Sequence, residues 1–168
     1  MKRSICILLF LSILFSMTGC RREQEKIQVP VNFYYPRQEA TFGSADSLIS
    51  PMVAEGADYA DDFMGLLTAY LLGPKDDNWR SPFPAGTQIL GFEENNGFIR
   101  LTMSRNFANL TGMDLTLACA CLTLTVLDLT GGNSVRISVP GATLNGAEYI
   151  RMDRNCLNLL DIINNDSQ

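Results

Sequence analysis

The chain has no histidine, and a single tryptophan in 168 residues. Without histidine there is no Ser-His-Asp or Cys-His nucleophile arrangement and no imidazole ligand for zinc. Nor is there any side chain whose ordinary pKa suits it to general-base work near neutrality. Carboxylate and lysine chemistry stay open, but hydrolase function loses its commonest machinery. Positive charge is also scarce: 13 Lys and Arg stand against 18 Asp and Glu, a net charge of −5. An acidic chain with no basic stripe and no aromatic RNA-binding motif repels phosphate backbones, which argues against nucleic acid as a partner. The five cysteines do not form the even, spaced set of a disulfide framework. Internal repeats and a second domain are lacking too.

One long apolar run is present. Ile5 to Met17 follows Lys2 and Arg3, a length that suits the core of a signal peptide and falls short of the ~20 residues of a spanning helix. A buried helix of a folded domain rarely starts at residue 4, behind two cations, with no polar face. The run ends Ser16-Met17-Thr18-Gly19-Cys20, which resembles the lipobox of bacterial lipoproteins, with Met17 where leucine is usual. The resemblance implies that residues 1–19 are a signal peptide and that Cys20 becomes the acylated N-terminus. The protein would then sit on the extracytoplasmic face of the cell membrane. Each buried methylene contributes ~0.8 kcal/mol, so two or more acyl chains hold a protein almost permanently. Cys20 is thus a lipid-attachment site and not a catalyst. Residues 20–29, charged and polar without an apolar period, read as a flexible tether. Loss of residues 1–19 removes Lys2 and Arg3 and no acid, taking the charge from −5 to −7. What remains suffices for one domain, residues 30–168, with a core of its own.

Of the other cysteines, Cys6 leaves with the signal peptide and Cys119, Cys121 and Cys156 stay. Cys119 and Cys121 are two apart and would point away from each other on a helix. Small buried thiols are the ordinary reading. A Cys156 pairing with one of them stays open, and a metal site built from the three is a minor alternative.

Val29 to Pro36 is β-branched and aromatic between prolines and predicts a strand with Pro at its margins. Leu48 to Ala54 predicts a second, with Pro51 restricting it to an edge or an irregular strand. From about Asp58 to Leu72 the apolar residues Phe63, Leu66, Leu67, Tyr70 and Leu71 recur at helical spacing. Asp58 is the expected cap, Asp61 and Asp62 suit the first turn, and Gly73-Pro74 ends the helix. Lys75 to Gly86 is a long loop. Thr87–Phe92 and Phe98–Ser104 form a hairpin about Glu94-Asn95-Asn96-Gly97, with Ile99, Leu101 and Met103 facing inward. Met113 to Leu129 fits both a period of two and a helical stripe. Its length favours a helix, with Asp114 near the positive end. Ser134 to Pro140 predicts a strand with Val135, Ile137 and Val139 inward, and Cys156 to Ile163 a short helix or strand.

The order of these elements and their punctuation resemble the GerMN domain of sporulation and germination lipoproteins. The resemblance is carried by Leu71-Leu72-Gly73-Pro74, by Ser81-Pro82-Phe83-Pro84-Ala85-Gly86-Thr87, and by the strand Phe98 to Met103 with its corner at Ser104 to Phe107. Leu122-Thr123-Leu124-Thr125 followed by Val135 to Gly141 completes it. It covers about residues 31–141, with Arg100 and Thr102 where valine and aspartate are more usual. It implies a helix at 113–129 and a small α+β domain similar to ring-building modules. In such a domain two helices pack on one face of a mainly antiparallel sheet. It brings no catalytic residue and no cofactor.

Among the conspicuous residues, Trp79 is a candidate interface residue, although a loop that covers a small core more readily turns its tryptophan inward. Asp76-Asp77 and Glu93-Glu94 are acid pairs in loops, ordinarily solvated, and Asp76, Asp77 and Asn78 lack the spacing of a calcium loop. The expected function is that of a non-catalytic envelope scaffold acting in sporulation or germination, through a protein partner or self-association. The alternative is a lipoprotein that binds a small ligand or a cell-wall fragment.

Overall fold

The computed structural model describes residues 30–39, 48–55 and 62–156. The signal peptide, Cys20, the tether, Asp58, Asp61 and the expected element beyond Cys156 lie outside them. The order is β1 (Pro30–Pro36), β2 (Ile49–Glu55), α1 (Phe63–Leu71), β3 (Ile89–Asn95) and β4 (Phe98–Met103). A 3₁₀ turn (Arg105–Asn109), α2 (Gly112–Thr130), β5 (Ser134–Ser138) and β6 (Tyr149–Asp153) follow. The fold is a small α+β domain in which antiparallel pairing predominates. Its strands divide into a two-stranded ribbon, β1-β2, and a four-stranded sheet in the order β3-β4-β5-β6. Among the described strands only the β4–β5 pair is parallel, because α2 crosses between those strands.

Helix α2 is the centre of the molecule, packed between β1 on one side and β5 and β6 on the other. By length and composition it could cross a membrane. Instead it fills the interior, with Leu115, Ala118, Cys119, Leu122, Val126 and Leu127 all buried in the main core. Cys121, Thr123 and Thr125 are buried as well. From Leu117 to Leu127 burial on nearly all sides leaves no polar face, which explains why both periodicities fitted this segment. The inward positions of β4 and β5, namely Ile99, Leu101, Met103, Val135 and Ile137, with Val139 just after β5, close the core from the sheet side.

Several local expectations are refined. Helix α1 starts one residue after Asp62, which is its N-cap and accepts from the Gly65 N–H at 2.8 Å; its non-helical backbone (φ −132°, ψ 77°) removes it from the first turn. Gly73 takes the left-handed conformation at φ 97° that stops the chain after α1. Strand β3 runs on through Asn95, so Glu93 and Glu94 stand in a strand and not in a loop. The turn is Asn96-Gly97, both with positive φ (50° and 75°), as a two-residue hairpin of matching twist requires. The last strand among the described residues is β6, which sequence patterning did not assign.

The free edge of β1 is closed by groups that are distant in sequence. Pro51 stands opposite Tyr34, whose N–H points away from β2 and donates to Thr125 Oγ1 of α2 at 2.9 Å. The missing N–H of Pro51 therefore costs no ladder bond. On the same edge the Tyr34 carbonyl accepts from the Tyr70 phenol at 3.0 Å. The Arg80 N–H donates to Pro36, and the Gln38 N–H to Asn78. An edge covered in this way cannot recruit a further strand.

Candidate interaction surface

Trp79 lies in the loop after α1, half-buried, bridged through its backbone to Arg37. Its indole N–H donates to Ser50 Oγ of β2 at 2.8 Å. The ring therefore ties the loop to the ribbon. Asp76 is occupied locally, its Oδ1 accepting from the backbone and the side chain of Asn78 at 2.9 and 2.8 Å. Glu93 pairs with Arg100 at 3.4 Å across the hairpin, both side chains exposed. Among the described residues no cluster of three His, Cys, Asp or Glu is placed to hold a metal ion.

Cys119, Cys121 and Cys156 are all free thiols. Cys119 and Cys121 are buried in α2 and Cys156 is exposed beyond β6, which leaves no pairing between them. Burial pushes the Cys119 thiol up to about 12 and Cys121 higher still. Neither is a nucleophile at neutral pH.

The feature that sequence reasoning missed is on the outer face of the four-stranded sheet, away from α2. Register pairs Arg100 of β4 with Arg136 of β5, and Arg136 with Arg151 of β6. Three guanidinium-bearing side chains therefore stand in one row across three adjacent strands, about 5 Å apart from strand to strand. Each has an aromatic neighbour. The Arg136 guanidinium lies 3.7 Å from the Tyr149 ring centroid, and those of Arg151 and Arg100 lie 5.2 and 5.8 Å from that of Phe98. Arg151 also donates to Ser134 Oγ at 3.3 Å.

A shallow groove lies on either side of the row, displaced along the strands. One, of about 460 Å³, is lined by Thr102, Arg136, Ser138 and Glu148 with the loop from Val139 to Thr143. The other, of about 510 Å³, is lined by Gly131 to Ser134, Arg151 and Asp153 to Asn155. In the second groove the backbone N–H of Cys156 bonds Asp153 at 2.9 Å and is the first cause holding that carboxyl below its ordinary value.

The signal for the row was in the sequence as a thrice-repeated pattern, apolar-Arg-apolar: Ile99-Arg100-Leu101, Val135-Arg136-Ile137 and Ile150-Arg151-Met152. What aligned the three was the register. Trp79 belongs to the ribbon side of α2 and is not part of this face.

A family model described as Germane, sporulation and spore germination, matches residues 18–145. Two similar solved structures come from the sporulation protein GerM of Bacillus subtilis. Its tandem GerMN domains match with a TM-score of 0.53 and 16% identity over 73% of this chain and 44% of that one. Its first GerMN domain alone matches with a TM-score of 0.53 and 13% identity, over 71% of this chain and 91% of that one. The chain thus spans less than half of the tandem structure, and at these identities the likeness is one of fold. No curated protein matches the chain.

Proposed function

The chain belongs to the Germane family of sporulation and spore germination, and from that premise we propose that it is a non-catalytic envelope scaffold. It is held on the extracytoplasmic face of the cell membrane by lipid on Cys20 and presents its folded domain to a protein partner or to other copies of itself. Neither the family description nor the structural likenesses point to a catalytic family. The observation that carries the reading is the sheet. The described helices pack on one face of it, while the other presents half-exposed aromatic and arginine side chains between two shallow grooves. A surface of that shape suits a macromolecule better than a small ligand, which is normally engulfed in a deep pocket.

The test is crosslinking in the native cells, during growth and during sporulation, with recovery of the tagged, lipid-anchored chain and a Cys20→Ala control. A discrete envelope partner or a ladder of self-crosslinks, dependent on Cys20, is expected. A clean monomer under both conditions refutes the scaffold reading.

A further inference from the structure

We propose that the row Arg100, Arg136 and Arg151 is the docking site for an acidic segment of a protein partner, an inference that rests on the scaffold reading above. Like charges directly opposite one another across strands destabilise a sheet, and here they face one another in two successive ladders. The fold gains nothing from this repulsion, whereas a ligand bearing carboxylates relieves it. Arg100 has Glu93; among the described residues neither Arg136 nor Arg151 has a carboxylate within 4 Å, and Arg151 acts on Asp153 only as a lesser cause of its lowered carboxyl pKa. Arg136 has no hydrogen-bond acceptor there either, only the Tyr149 ring beneath it. A guanidinium that leans on a ring and has no acceptor of its own keeps N–H groups free for a two-pronged bond to a carboxylate. Because the ring already restricts it, it loses less freedom on binding.

The surroundings select a narrow partner. Glu93, Glu94, Glu148 and Asp153 rim the row, and the whole chain is net negative. An anionic bilayer is a broad plane that would bring those acids, and the rest of the domain, against its own charge. A strand or helix, about 5–10 Å wide, covers the arginines without spanning the whole acidic rim at once, and meets one rim acid in each groove, Glu148 in one and Asp153 in the other.

The experiment uses the full lipid-anchored chain in its native envelope. The variants Arg136→Lys and Arg151→Lys keep the charge and add an amine that a water-soluble carbodiimide joins only to a carboxylate in contact with it. The expected result is a new adduct at residue 136 or 151, absent from the unsubstituted chain, to an Asp- or Glu-rich segment of another protein. The double variant Arg136→Gln/Arg151→Gln should recover about tenfold less of that partner with an unchanged thermal midpoint. An adduct to a second copy of this chain overturns the proposal in favour of self-association. A partner captured through other residues, with no adduct at either position, overturns it and leaves the scaffold reading standing; no partner by any crosslink removes that reading itself. A lowered midpoint in the double variant means that the row serves the fold, and overturns the proposal. So does a preference for phosphatidylglycerol over phosphatidylcholine vesicles that vanishes in the double variant, which points to a lipid surface.

Discussion

The Tyr35 phenol donates to the backbone carbonyl of Tyr70 at 2.6 Å, and the Tyr70 phenol donates back to the carbonyl of Tyr34 at 3.0 Å. The rings lie 5.0 Å apart, with Phe33 and Phe83 against Tyr70. This reciprocal pair joins β1 to the end of α1 in a largely buried setting, where an unbonded carbonyl is costly. Each single change, Tyr35→Phe or Tyr70→Phe, is expected to destabilise by about 1–2 kcal/mol. The double variant should fall short of the sum, since the two bonds share a geometry. Urea unfolding of the three variants checks this, and strict additivity would show that the bonds act independently.

Two threonines two residues apart in α2 should respond in opposite ways. Thr125 Oγ1 accepts the Tyr34 N–H at 2.9 Å, so Thr125→Val strands a backbone donor at a cost of about 1–2 kcal/mol. The Thr123 hydroxyl is buried with no hydrogen-bond partner among the described residues. Thr123→Val keeps the branched shape and removes that debt, so it is expected to be neutral or to stabilise by up to about 1 kcal/mol. Paired thermal melts decide; a loss in both variants would mean that Thr123 has a partner after all.

Trp79 is the only tryptophan, so its fluorescence reports the docking of the loop on the ribbon. Ser50→Ala removes the acceptor of its indole N–H. The fluorescence-monitored urea midpoint should drop by the equivalent of about 1 kcal/mol, with a change in the emission maximum of the folded protein. An unaltered emission and midpoint would show that packing alone holds the ring.

Alkali should unfold the domain through its buried thiols. Cys119, ordinarily near 9.0, is pushed up to about 12 by burial, and Cys121 is raised further by burial, with Cys119 as a lesser cause. Tyr35 and Tyr70 are raised as well, first by burial and then by Cys121. All four stay protonated in the folded chain at pH values where the unfolded chain has begun to release the proton. Their contribution is therefore complete below about pH 9 and is lost as pH climbs toward the folded values, at about 1.4 kcal/mol per pH unit for each group. Urea midpoints should be level near neutrality and fall above about pH 9. At mildly basic pH a thiol reagent should modify Cys156 in the folded protein, and Cys119 and Cys121 only after denaturant is added.

Much of the local structure was legible because few residues decide it. Asn96-Gly97 dictates a tight hairpin, and Gly73 before Pro74 ends a helix whatever surrounds it. The alternation Ile99, Leu101, Met103 assigns one face of β4 to the core, and Pro51 confines its strand to a ribbon that needs no N–H at that position. The candidate site was hidden for a different reason. Arg100, Arg136 and Arg151 each look like the solvated outward position of an ordinary strand, and 36 and 15 residues separate them. Nothing local states that β4 and β5 run parallel in the register that makes them neighbours.

The sequence by itself therefore determined where the chain turns, which strand faces are apolar, that histidine chemistry is absent, and that a lipobox-like segment precedes the domain. Those properties follow from backbone sterics and from side-chain period, which act over a few residues. Only the tertiary structure decided that Met113 to Leu129 is a helix whose middle, Leu117 to Leu127, is buried on nearly all sides, that the strands split into a ribbon and a sheet around it, and that three arginines share a row. These depend on which distant surfaces bury one another, and a helix with no polar face or a strand with one outward cation is equally compatible with several such arrangements until the core closes.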